Sequence, residues 1–324
     1  MFGTKIKAFI VWLLFFYACG AAHAKLPCAQ ALAKLDRLIQ SNTFEVRRDI
    51  YHYTELFPQT FIEQLASLKK EDHWIDAGSG EGFAVEDLAN KTVLDSPSLL
   101  QQMEPTFRKP RRVKVNSEAL RAAADKLNGK DTSEKPQITA VTVKMERTPP
   151  QKEKLHFKTG RYFEDIPNEE FSPGDMITDL YGVMSYSPRV DEVLRKYHRI
   201  LKMNGKAYIF IGDYVSAPRF NSFLRILHVE ESRWDAPFAK SQVKRKDGST
   251  VTLLDWVLSL KGFKSSVQHR EVEAASWGHA STGPILRSTL VLEKVARDFD
   301  IPNLRLVQTT EGKPPVRTFE EVME

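Results

Sequence analysis

The sequence predicts an α/β protein with a doubly wound, mostly parallel sheet preceded by N-terminal helices. Three observations carry this. Strand-like apolar runs alternate with helical patterns between residues 73 and 294. The first of these runs opens into a glycine turn and then a helix within residues 73–88. Apolar residues make up 42% of the chain and charged residues 27%, a balance that supports a buried core rather than a disordered chain.

The 324-residue chain opens with Lys5 and Lys7, an uncharged apolar run at residues 8–18 (AFIVWLLFFYA), and Ala22-His23-Ala24. That order is a positive n-region, an h-region and a small-residue cleavage site, so residues 1–24 are expected to be a signal peptide and the protein to be exported, periplasmic or secreted. The apolar run falls short of the roughly 20 residues a spanning helix needs, so no stable membrane span is expected once the signal is cleaved. Anchoring by an uncleaved signal is the alternative. A lipoprotein acylated at Cys19 fits less well, because Phe16-Tyr17-Ala18 is bulky before it. The two cysteines, Cys19 and Cys28, cannot build a disulfide scaffold or a four-cysteine zinc site. Cleavage after Ala24 leaves Cys28 as the only thiol, with no His close by in sequence, and it is assigned no role.

Residues 25–72 form a helical lead: Leu32, Leu35, Leu38 and Ile39, then Phe61, Ile62, Leu65 and Leu68, recur at helical spacing, with Pro58 interrupting. Two or three amphipathic helices are expected. The main domain then runs over residues 73–296. Its first strand, His73-Trp74-Ile75-Asp76, leads into Ala77-Gly78-Ser79-Gly80-Glu81-Gly82, and a helix resumes at residues 83–88. Residues 91–136 are an insertion: polar, marked by prolines, with a basic cluster at residues 108–114 (RKPRRVK) and a helix at 117–127. Strands follow at 138–145, 155–158, 175–180 and 206–211. Between the last two lies a helix at 189–201, stopped by Asn204-Gly205. A helix at 253–260, a strand opening at Gly262-Phe263 and the β-branched run at 288–294 (STLVLEK) close the domain. Residues 297–324, with Pro302, Pro314 and Pro315, read as an extension wrapped over the domain or partly disordered.

Function classes narrow from here. Lys plus Arg is 47 and Asp plus Glu 42, a net charge of +5 of which Lys5 and Lys7 sit in the leader, so nucleic acid is not an expected partner. The eight histidines are scattered without metal-ligand spacing, and no metal is expected. The glycine turn is the strongest signal. In an open parallel sheet the ligand lies beyond the carboxyl ends of the strands, and glycines let it approach the backbone and the helix N-terminus. A dinucleotide fingerprint needs G-x-G-x-x-G, and here Phe83 stands where its third glycine belongs. A phosphate-binding P-loop needs a lysine that does not follow Gly82. What remains is Asp76-x-Gly78-x-Gly80-x-Gly82 at the end of a strand.

That motif resembles the first motif of the class I S-adenosylmethionine-dependent methyltransferase family, and four further segments resemble the family in its order. These are residues 155–167 (LHFKTGRYFEDIP), 175–181 (DMITDLY) and 200–209 (ILKMNGKAYI), with Gly262-Phe263 and 290–294 (LVLEK) as the closing pair. The resemblance implies a seven-stranded sheet with an antiparallel terminal hairpin, and S-adenosylmethionine as cofactor. It implies that Asp76, Ala77, Gly78, Ser79, Gly80 and Gly82 hold the amino acid part of that cofactor, with Asp179 facing the methyl donor. A sulfonium amino acid is cationic at two atoms, so Asp76 favours it, while turn amides receive its carboxylate. Transfer needs positioning, and a base only where the acceptor starts protonated, so no catalytic residue need stand out.

Two positions depart from the family. Its acid at the end of the second strand is replaced by Lys144, with Glu146 two residues on as a substitute ligand. Arg161 stands where an acid often meets the adenine amine, and arginine is a donor only. Glu81 reads as a first-turn helix acid, and Tyr181 and Tyr186 either line an acceptor pocket or pack. The basic cluster at 108–114 is either a solvated face or a lid or dock for an anionic partner. Two readings follow: a methyltransferase acting on an unidentified acceptor, which the basic cluster allows to be anionic, or an exported, non-catalytic interaction protein that kept the fold. A nicotinamide oxidoreductase is third.

Overall fold

In the computed structural model the described residues are 48–90, 134–145, 147–216, 232–234, 237–272, 285–310 and 315–322. The leader, residues 25–47 of the helical lead, the basic cluster at 108–114, the helix expected at 117–127 and Glu146 lie outside them. Helices α1 (Ile50–Leu56) and α2 (Gln59–Ser67) precede β1 (His73–Ala77), and α3 (Phe83–Asn90) follows the glycine turn. Then come β2 (Gln137–Thr142), β3 (Leu155–Thr159), β4 (Gly174–Asp179), α4 (Val183–Tyr186), α5 (Val190–Ile200) and β5 (Leu201–Ser216). The remaining elements are β6 (Ser232–Trp234), α6 (Pro237–Lys240), β7 (Gln242–Lys244), β8 (Thr250–Thr252), α7 (Leu253–Leu258), β9 (Phe263–Val272), β10 (Ile285–Lys294), β11 (Asn303–Thr309) and β12 (Arg317–Val322).

The main sheet has the order β3-β2-β1-β4-β5-β10-β9, with β6 added against the end of β5. Strands β1 to β5 are mutually parallel, while β10 runs antiparallel to both β5 and β9. Every residue of β1 is buried, as a central strand of a parallel sheet covered on both faces requires. The order reverses between β1 and β4, which makes their carboxyl ends the switch point where an open α/β sheet binds its ligand.

Each face of the sheet carries its own core. On one, α1 and α2 lay Tyr53, Phe57, Phe61, Ile62 and Leu65 against Trp74, Tyr208 and Phe210. Phe57 and Phe61 stand 4.8 Å apart, and Tyr208 meets Phe61 edge-on at 5.6 Å. On the other, α5 buries Val193, Leu194 and Tyr197. Helix α5 opens with Asp191 and Glu192 and ends with His198 and Arg199, the charge order the helix dipole favours. Beyond it, Asn204 adopts φ +63 within what the structure continues as β5, a conformation asparagine tolerates better than most residues.

The C-terminal extension is more ordered than its prolines suggest. Strands β11 and β12 join β7 and β8 in a second, four-stranded sheet of order β11-β12-β7-β8, with β12 parallel to β7. Its inner face buries Val243, Leu304, Leu306 and Phe319 with Leu253 and Trp256 of α7. Thr252 caps α7, accepting from the Asp255 amide at 3.0 Å. Arg317, 1% exposed, reaches from β12 to the loop after β4 and donates to the carbonyls of Met184 (2.6 Å) and Ser187 (2.5 Å). Burial lowers its pKa to about 10, with Asp179 opposing the shift. Arg317→Met leaves both carbonyls without their donor, and the expected cost is about 3 kcal/mol, read from the urea unfolding midpoint. Among the described residues no helix is long and apolar enough to cross a membrane.

Candidate functional site

Asp76 and Asp179 lie at the carboxyl ends of β1 and β4, and both are essentially unexposed. Register places Asp76 beside Thr178. Trp74 Nε1 donates to Thr178 Oγ1 at 2.8 Å, Thr178 donates in turn to Asp76 Oδ1 at 2.8 Å, and Tyr53 of α1 donates to Asp76 Oδ2 at 2.8 Å. Burial pushes the Asp76 carboxyl up to about 7 against those two hydrogen bonds. Asp179 braces its own loop: Oδ1 accepts from the Gly182 amide at 2.8 Å, and Oδ2 from the Met184 amide and Tyr197 at 2.7 Å each. Its carboxyl is raised to about 6, again by burial.

The turn between β1 and α3 presses on the loop after β4. Gly78 has φ +93, and a Cβ there would lie 2.4 Å from Gly182 Cα. Gly82 backs onto the Phe157 ring of β3, which a Cβ would meet at 2.5 Å. These two glycines therefore serve the chain's own packing. Gly80, at φ +57, completes the turn. The amides of Gly78 and Ser79 both donate to the Val141 carbonyl at 2.9 Å, and the Gly82 amide to the Ser79 carbonyl at 3.0 Å. This corrects the expectation that the turn keeps its amides for a carboxylate: β2 ends beside the turn and takes two of them. Ala77 is the buried last residue of β1, and Ser79 is buried in the turn.

Other expectations change as well. Strand β2 stops at Thr142, so Lys144 lies beyond the sheet as an exposed residue, with its carbonyl accepting from Thr142 Oγ1 at 2.9 Å. Arg161 forms a two-pronged pair with Glu170 at 2.6 and 2.9 Å, and the Glu170 carboxyl is held down to about 2 by Arg161 and then Lys158. The first-turn acid of α3 is Glu86, whereas Glu81 belongs to the turn, where its carbonyl accepts from Arg147 Nε at 3.1 Å. Tyr181 packs edge-on against Phe210 at 4.9 Å and holds φ +50, an unusual conformation for a bulky residue. Burial raises the hydroxyl pKa of Tyr186.

Arg48, Tyr53, Thr178 and Tyr197 join this site without having been singled out in the sequence. The Arg48 carbonyl accepts from the Ala84 amide at 3.1 Å, and its guanidinium carbon lies 5.7 Å from the centre of the Tyr181 ring.

The mostly parallel seven-stranded path and the antiparallel closing pair are those implied by the sequence resemblance. The chain has a doubly wound α/β fold with an antiparallel closing pair. No family model matches the chain. No curated protein matches it either. Solved structures similar to the chain include an rRNA methylase from Streptococcus thermophilus, at 12% identity over 78% of this chain and 99% of that one, with a TM-score of 0.33. A SAM-dependent methyltransferase from Methanosarcina mazei is 14% identical over 72% and 97%, with a TM-score of 0.34. An N-methyltransferase from Bradyrhizobium japonicum, in complex with S-adenosyl-L-homocysteine, is 8% identical over 81% and 97%, with a TM-score of 0.34.

Proposed function

We propose that the protein binds S-adenosylmethionine at the switch point between β1 and β4 and transfers its methyl group to an acceptor that is unidentified. The observation that carries this is the glycine turn, placed directly after β1 at the reversal of strand order and beside the buried carboxyl of Asp76. The bound cofactor would supply an electrophilic methyl on a sulfonium. The chain's part is to hold it, with Asp76 facing cationic atoms and Gly80 leaving the turn free of a side chain. Isothermal titration of the full chain with S-adenosylmethionine and S-adenosylhomocysteine tests the reading. Saturable heat with either supports it, and none with both overturns it.

The titration of Asp76 gives this binding a pH dependence. A cationic ligand favours the ionised carboxyl, which is the minor form below a pKa of about 7. Affinity for S-adenosylhomocysteine is expected to rise between pH 6 and pH 8, by up to about tenfold for each pH unit below the pKa. A flat profile would show that Asp76 either does not titrate in this range or does not meet the ligand's charge.

A second reading is favoured by the engagement of Asp76, Asp179 and Arg161 with partners of the chain itself, and by Lys144 where the family places an acid. In it the protein is an interaction module that kept the fold without transfer. Cofactor binding that strengthens on Lys144→Glu together with Arg161→Asp supports it, and unchanged affinity argues against it. We also propose export after cleavage near Ala24. N-terminal sequencing of the chain from fractionated cells tests this, and a cytosolic chain beginning at Met1 would overturn it.

A further inference from the structure

Two guanidinium donors near the switch point are left over, Nη1 of Arg48 and Nε of Arg317, and Arg48 is the one whose charge acts on Asp76. Arg48 lies immediately before α1 and is anchored through its main chain to the first turn of α3. It acts electrostatically on Asp76, Asp179, Tyr53 and Tyr186, so its charge sits where β1, β4 and α1 converge. Its Nη1 is enclosed and has no hydrogen-bond partner.

The two nearby carboxylates do not satisfy it. Asp76 accepts from Tyr53 and Thr178, and Asp179 from Gly182, Met184 and Tyr197. An enclosed, unsatisfied guanidinium donor is costly, and the group that best matches a guanidinium fork is a planar, two-oxygen anion. The turn amides of Gly78 and Ser79, two of the other candidate donors for such an anion, are already bound to Val141, and that of Gly82 to Ser79.

We propose that Arg48 receives the α-carboxylate of the sulfonium amino acid, so that the N-terminal lead holds that end of the cofactor. This rests on the cofactor reading above and specifies it. Recognition of the amino acid part is then split by charge: the carboxylate meets Arg48 on one side, and the cationic atoms face Asp76 on the other.

The test uses isothermal titration of the full chain with two probes, S-adenosylhomocysteine and its decarboxylated analogue. The wild-type chain is expected to prefer the carboxylate-bearing probe by roughly 10- to 100-fold, the range of one charge-assisted contact. Arg48→Gln is expected to bind both probes alike, at the affinity of the wild type for the decarboxylated one, and Arg48→Lys to keep part of the preference. Comparison of the two probes on the wild type alone serves even if a variant fails to fold. Equal wild-type affinities, or an undiminished preference in Arg48→Gln, overturn the assignment of Arg48 and leave the cofactor reading standing. An absence of binding to both probes overturns that reading, and this inference with it.

Discussion

Gly78→Ala is expected to cost the fold at least about 3 kcal/mol, where Gly248→Ala costs about 1. Both glycines have positive φ, +93 and +84, so both substitutions pay for a left-handed residue with a Cβ. A Cβ on Gly248 would meet nothing within 4 Å, and that backbone term is the whole cost. At Gly78 the new Cβ would stand 2.4 Å from Gly182 Cα, backbone against backbone, with no side chain to swing aside. Gly182 is held in place, because its amide is tied to the buried Asp179 carboxyl at 2.8 Å. Urea denaturation of the two variants, followed by far-ultraviolet circular dichroism, separates the contact from the backbone term. Equal losses would show that the turn after β1 does not press on the loop after β4.

Much of the fold was legible because its signals are local. The burial of β1 on both faces appears as the apolar run Trp74-Ile75 entering a glycine turn, and α5 as apolar spacing with acids at its start and bases at its end. The two aspartates were legible by position, since strand ends at a switch point are where such groups gather. What each aspartate bonds was not. Tyr53 sits within an aromatic run of an amphipathic helix, where spacing marks it as core, and its hydroxyl reaches Asp76 only through the packing of α1 on the sheet. Arg48 is one of many basic residues until Ala84 fixes its main chain. The fate of the Gly78 and Ser79 amides depended on how far β2 runs beside β1, which no motif in the turn encodes. The small sheet was missed for another reason. The prolines at 314 and 315 outweighed the alternation in Asn303–Thr309, and pairing of β12 with β7 joins segments far apart in the chain.

Asp76→Asn is expected to remove a large part of the pH dependence of stability. The carboxyl titrates near 3.8 in the unfolded chain and near 7 in the folded one, where burial outweighs the hydrogen bonds from Thr178 and Tyr53. Between those values the native state holds the extra proton. The contribution of this group is therefore fully present below pH 4 and is lost as pH rises through 7. Three pKa units correspond to roughly 4 kcal/mol. Asparagine has no such proton to lose, and its carbonyl can still accept from Tyr53. Urea denaturation from pH 4 to pH 8 should show the variant gaining on the wild type by up to about 4 kcal/mol. Asp179 and Asp87, both raised to about 6 by burial, keep a slope of the same sign in both proteins. Parallel curves would mean that Asp76 is already ionised in the fold at pH 4, with the positive charge of Arg48 outweighing burial. The rise in cofactor affinity toward pH 8 would then have no source at this carboxyl, so stability and binding read the same proton by independent routes.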